Sequence, residues 1–227
     1  MKLDVIYEDN HLLVVNKPAN VPMQEDSSKD LDLLSLAKNY LKEKYNKPGN
    51  VYLGLVHRLD RPVSGVCVFA KTSKAASRLS KQVSEHTLKK EYLAVVYDNN
   101  LKDEDIFKDK LLKDTKRNLV KVDPNGKDSS LDYVVLNRKD NLALVKVNLH
   151  TGRSHQIRVQ FSSRNHPLWG DQKYNKQAKV GEQIALHAYR LTFKHPTTNE
   201  TLAFVCDVNR KPFDIMKPWA QRKRKES

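Results

Sequence analysis

Cysteine is almost missing from this chain: its 227 residues hold only Cys67 and Cys206. With no CxxC pair, a disulfide framework and a cysteine-built structural zinc site are both excluded. Long apolar runs are missing too, for no stretch approaches the roughly 20 residues of a membrane-spanning helix. The opening residues MKLDVIYEDN lack the apolar segment of a secretory signal, so a cytoplasmic protein that is not bound to membrane is expected. No Pro/Gly/Ser-rich linker divides the chain. One domain over residues 1–219 is therefore expected, followed by a basic tail, 220–227, that is too polar to pack a core. Acidic residues fall short of basic ones by 27 to 41, a net charge of +14. Such an excess points to a polyanionic partner, nucleic acid first.

What is present reads as strands punctuated by a few helices. LDVIYED and HLLVVNKP form two strands about Asp9 and Asn10. Leu33, Leu34, Ala37, Tyr40 and Leu41 recur at helical spacing, with Ser28 or Asp30 as the cap. VCVFA reads as a strand, and Ser73 caps a second amphipathic helix ending near His86. EYLAVVY, LDYVVL and LALVKVNL read as further strands, and the Lys- and Asp-rich stretch between the first two reads as a solvated excursion. A helix is predicted from about Ser154, although Ile157, Val159 and Phe161 also alternate as in a strand. IALHAYRLTFKHP and TLAFVCDV complete the set. Consecutive strands outnumber helices, which predicts the α+β class with a mixed, mostly antiparallel sheet.

Three clusters carry candidate chemistry. In VHRLDRPVSG, Asp60 stands among His57, Arg58 and Arg61 before an apolar strand. Neighbouring guanidinium groups favour an ionised carboxylate, which suits a nucleophile or base and equally suits a plain ion pair. In HTGRSHQIR, the expected helix start would turn backbone N–H groups of Gly152 to Ser154 toward phosphate, with Arg153 and Arg158 either binding phosphate or pairing with Asp60. In KKEY, Tyr92 is either a half-buried strand residue or a ring that stacks on an unpaired base. The loops NKP and HPLWGDQKY are expected at the same edge. His57, Asp60, His150 and His155 form the one conceivable metal set, without the spacing of an HExxH site. No metal is expected, and no GxxxxGK[ST] loop for a nucleotide cofactor occurs.

Taken together, HRLDRPVSG, KKEYLAVV and TGRSHQIRVQF resemble, in order, the three signature motifs of the RluA family of pseudouridine synthases. YEDNHLLVVNKPANVPMQ, NHPLWGDQKY and LHAYRLTFKHP extend the likeness over nearly the whole chain. The resemblance implies the pseudouridine synthase fold and isomerisation of uridine in structured ribosomal or transfer RNA, without a cofactor, by a chain expected to be a monomer. It implies that Asp60 is the catalytic carboxylate, that Tyr92 packs on the target uracil and that Arg158 pairs with Asp60. Ile157 would line the base pocket, and Arg58 would enter the RNA stack when the base leaves it. His57, Arg153 and His155 join the expected substrate contacts. Two departures stand out: Val63 replaces a common Thr, and the family's S4-like N-terminal appendage is expected to be absent. The other readings of the same basic chain are a non-catalytic RNA-binding or ribosome-assembly factor, and a metal-dependent nuclease.

Overall fold

A computed structural model describes residues 1–216; the basic tail expected at 220–227 lies outside them. Eleven strands and three helices occur in chain order among the described residues: β1 (Asp4–Glu8), β2 (Leu12–Lys17), α1 (Leu33–Lys44), β3 (Gly54–Leu55), β4 (Ser64–Ala70), α2 (Ser73–Ser84), β5 (Lys89–Tyr97), β6 (Glu104–Asp114), β7 (Leu119–Val122), β8 (Lys127–Lys139), β9 (Leu142–Leu149), α3 (Gln156–Ser162), β10 (Leu186–Lys194) and β11 (Thr201–Val205). Every pairing with a resolved register is antiparallel. The α+β class read from the sequence is the class observed. The chain divides into two compact units: Met1–Lys90 with Ala188–Asp207, and Glu91–His187 with the described part of Val208–Ser227.

In the first unit the strand order is β1-β2-β4-β10, with β3 on β4 and β11 on β10. Strand β4, SGVCVFA, is buried at every residue, as befits a run of apolar side chains covered on both faces. Its Val66 and Val68 pack with Leu12 and Val14 of β2, Ala75 and Leu79 of α2, and Leu191 and Phe193 of β10. Gly65, paired with Lys17, has φ +121, and a Cβ there would sit 2.2 Å from the Ala188 carbonyl oxygen. No other residue lets β4 and β10 approach so closely at that point.

Both helices of this unit are capped one or more residues away from the expected position. Asp32 caps α1 by accepting the Ser35 N–H at 3.0 Å, where Ser28 or Asp30 was expected; Ser28 and Asp30 instead bind the Arg61 side chain. Thr72, just before the expected Ser73, caps α2 by accepting the Ala75 N–H. The helix ends at Ser84, with His86 in the left-handed region at φ 57.

The second unit has the order β5-β9-β8-β6-β7. Here the expected solvated excursion is ordered as the antiparallel β6–β7 hairpin, with Leu111 opposite Val122 and β6 also pairing along β8. Of the eleven residues of β6 only Phe107 and Leu111 are buried. Backbone pairing rather than an apolar face holds the strand, so its Lys and Asp side chains hide it from a hydrophobic pattern. No helix among the described residues is long and apolar enough to cross a membrane.

The Gly65 geometry makes a direct prediction. Gly65→Ala should lower the unfolding free energy by about 2 kcal/mol or more, from backbone strain and overlap. Gly49→Ala, where nothing lies within 4 Å of the added carbon, should stay within about 0.5 kcal/mol of the parent. Urea unfolding of both variants checks the contrast.

Candidate active site

Asp60 is half-buried on a turn between buried Leu59 and exposed Arg61, and the Val63 N–H closes the turn onto the Asp60 carbonyl at 3.0 Å. Beneath it lies Lys17, the last residue of β2 and fully buried. Its ammonium donates to the carbonyl oxygens of Arg61 at 2.9 Å, Val63 at 2.6 Å and Pro18 at 3.0 Å. One cation thus ties two carbonyls of the Asp60 turn to the NKP corner. Burial draws the Lys17 pKa down to about 8, against the opposing pull of Cys67 and Asp60. Cys67, fully buried, has its thiol pushed up to about 12 by burial, so it is no nucleophile at neutral pH.

The cations read around Asp60 disperse in the structure. Arg61 turns away to the Asn20 carbonyl at 3.2 Å, the Ser28 hydroxyl at 3.0 Å, Asp30, and Asp26 at 3.7 Å. Arg58 is exposed. His57 is buried, and its Nε2 accepts the Val68 N–H at 3.1 Å. Burial, with the nearby Lys90 charge, lowers its pKa to about 3, so the ring is neutral. The first unit therefore gives the Asp60 loop a neutral histidine and a lysine clamp where the sequence suggested a crowd of positive charge.

In the second unit α3 begins at Gln156, two residues later than expected, and runs for seven residues, with His155 before it at φ 52. Its start offers less to an anion than the sequence suggested, because Gln156 takes over the loop. Gln156 Oε1 accepts the Arg153 N–H at 3.0 Å and the Thr151 hydroxyl at 2.8 Å, while its Nε2 donates to the Ser130 carbonyl and to Gln160 Oε1. Arg153 is exposed and donates from Nε to the Asp128 carbonyl. Ile157 and Phe161 are buried, and Phe161 meets Phe107 and Tyr133 with ring centroids 5.0 and 5.2 Å apart. Tyr92 is buried in β5.

Arg158 is 5% exposed and Asp171 1%. Their pairing is forked: Nε donates to Asp171 Oδ2 at 2.8 Å and Nη2 to Oδ1 at 2.6 Å. Such a contact fixes the plane of the guanidinium as well as its position. The guanidinium also lies 5.1 Å from the Tyr174 ring centroid. The Tyr174 hydroxyl accepts the Val120 N–H at 2.9 Å and lies 2.6 Å from His155 Nδ1. Asp171 and Tyr174 belong to the loop HPLWGDQKY, which the sequence marked as a site-edge loop without assigning them roles. The signal was a buried-type Arg on α3 that needed a carboxylate; several acids along the chain fit that need equally well. Nor did an apolar strand ending in Lys17 reveal that its ammonium is buried.

The four residues offered as a metal set are not gathered as ligands. His57 binds Val68, His150 lies 2.6 Å from Asp132, and His155 meets Tyr174. No group of three or more potential ligands is assembled among the described residues.

Two outcomes follow from these environments. Between pH 6.5 and about 3 the unfolded chain protonates at His57 while the folded chain does not, so the unfolded state binds more protons and stability falls as the pH falls. His57→Gln should flatten the dependence of unfolding free energy on pH from 6.5 to 4, measured by urea unfolding at successive pH values. Asp171→Ala removes the carboxylate facing a buried guanidinium and should cost about 3 kcal/mol or more, read as a lowered urea midpoint.

The sequence pattern of the family described as RNA pseudouridylate synthase matches residues 11–163. The uncharacterized RNA pseudouridine synthase YhcT of Bacillus subtilis is 34% identical over 208 residues, covering 88% of this chain and 67% of that protein. Ribosomal large subunit pseudouridine synthase C of Vibrio parahaemolyticus is 32% identical, covering 86% of this chain and 62% of that protein. The chain thus spans about two thirds of the length of these relatives. In fold it is similar to the human protein RNA Pseudouridylate Synthase Domain Containing 4, with TM-score 0.77 at 22% identity over 91% of this chain and 89% of that one. Given a family pattern that matches well over half its length, the chain belongs to the RNA pseudouridylate synthase family.

Proposed function

We propose that this protein is an isomerase that converts particular uridines of structured RNA, ribosomal or transfer, to pseudouridine. What supports the reading is family membership together with one structural observation: Asp60 of the HRLD motif stands half-buried on a turn tied down by Lys17. A carboxylate so held is positioned in advance of substrate, as a catalytic group requires.

The reaction breaks the N1–C1′ glycosidic bond and forms a C5–C1′ bond to the same uracil; C5 gives up its proton and N1 gains one. The base must detach, turn over and rejoin within one pocket, so the nucleotide leaves its stack first. Asp60 supplies the electron pair, either to the anomeric carbon or to a proton of the adjacent ribose carbon; both routes use this one residue. By its motif position Tyr92 packs on the uracil and Ile157 lines its pocket. By its own motif position Arg158, oriented from one edge by Asp171, pairs with the Asp60 carboxylate. Arg58, exposed, fills the gap left in the RNA stack. Arg153 and His155 contact the RNA, while His57, being buried, supports the Asp60 loop. The chain works as a cytoplasmic monomer without a cofactor.

Pseudouridine mapped across total RNA from cells lacking the protein tests this reading. One or a few sites should lose the modification and regain it with the wild type but not with Asp60→Ala, whose activity should fall to background while RNA binding persists. No change at any site would overturn the enzyme reading in favour of a non-catalytic RNA-binding protein.

A further inference from the structure

Lys90, near the start of β5, is half-buried. Among the described residues its ammonium has neither a hydrogen bond nor an ion pair, and burial alone lowers its pKa. Other lysines removed from solvent in the same unit are provided for. Lys17 has its three carbonyls, and Lys71 holds Glu8 at 2.8 Å. An ammonium left in a poor dielectric without a counter-charge is costly, so its persistence calls for a partner from outside the unit.

The neighbouring imidazole has the same deficit. Lys90 acts electrostatically on His57. Because His57 Nε2 accepts the Val68 N–H, the proton of the neutral ring sits on Nδ1. That atom is buried and has no partner among the described residues. Both unsatisfied groups are therefore donors, and what the locality lacks is an acceptor, best a negatively charged one. Lys90 keeps enough exposure to be reached, whereas the His57 ring sets the electrostatics behind it. The location is also suggestive. His57 lies three residues before Asp60 in the HRLD segment, and Lys90 lies two residues before Tyr92, which the alternation of a strand puts on the same side.

We propose that Lys90 is a substrate-positioning residue that holds a phosphodiester group of the bound RNA, at or next to the nucleotide on which Asp60 acts. The assignment of the nucleotide rests on the enzyme reading above; the phosphate contact does not. An ammonium suits this task because it meets phosphate oxygen as a point charge from any approach. The incoming negative charge also favours the protonated form of the lysine, which burial disfavours.

The test uses the full chain and a stem-loop RNA carrying a uridine mapped in the experiment above or, if none maps, an arbitrary ribosomal stem-loop. Lys90→Met should leave the protein folded, with an unfolding midpoint at or above that of the parent, because an unpaired buried charge is removed. Its affinity should fall about tenfold, and the slope of log K against log salt should shrink by about one contact's worth. Lys90→Arg should retain most of the binding. Independently of any variant, stem-loops with single neutral methylphosphonate linkages should reveal one position that weakens wild-type binding about tenfold and leaves Lys90→Met unaffected. An unchanged salt slope in Lys90→Met, or the absence of any such position, overturns the inference whether or not the RNA is modified. Conversely, a reduced slope without pseudouridine formation by the wild type overturns the enzyme reading and leaves the phosphate contact standing.

Discussion

The buried ammonium of Lys17 is the interaction on which the geometry of the first unit's loop depends. A charge fully removed from water is tolerable only if its donors are satisfied, and three backbone carbonyls satisfy them here. Because two of those carbonyls belong to Arg61 and Val63, the turn that presents Asp60 cannot move without costing the ammonium two of its three acceptors. Gly65 contributes from the other side, since its lack of a side chain lets β4 lie against Ala188. The catalytic candidate is thus held by main-chain atoms, and the identity of most side chains in the turn is left open to vary.

A second device of the same kind organises α3. A seven-residue helix has little stability of its own, so its place is set by what it buries. Phe161 enters an aromatic group with Phe107 and Tyr133. Gln160 and Arg164 both bind Asp109 of β6, at 2.6 and 2.9 Å, and Arg158 is gripped by Asp171. The hairpin that looked like a solvated excursion therefore supplies part of the helix's support. Its charged residues are divided between those that bind α3 and those that face solvent.

Charge has two distinct uses in this chain. The net excess of +14 is a global property suited to a polyanion, but the buried cations are local and individually matched. Arg158 has its carboxylate, Lys17 its carbonyls and Lys71 its glutamate. Lys90 stands apart from them, and the contrast gives that residue its meaning. A count of basic residues could not separate a structural cation from one awaiting a ligand, because the difference lies in burial and partnership.

The α+β class, most strands and all three helices follow from local rules, because apolar alternation, helical spacing and capping residues act over a few neighbours. The motifs around Asp60, Tyr92 and Arg158 were legible for the same reason, being contiguous. Tertiary structure decided what contiguous sequence cannot carry. It turned Arg61 toward Asp26 and Asp30, moved the α1 cap to Asp32, and buried His57 as a neutral ring. It also paired Arg158 with Asp171 thirteen residues on, and brought Lys17 under a turn 44 residues away. A charged side chain reaches partners several ångströms away in any direction. Its protonation, partner and role therefore depend on what the folded chain brings near it, which the order of residues alone does not specify.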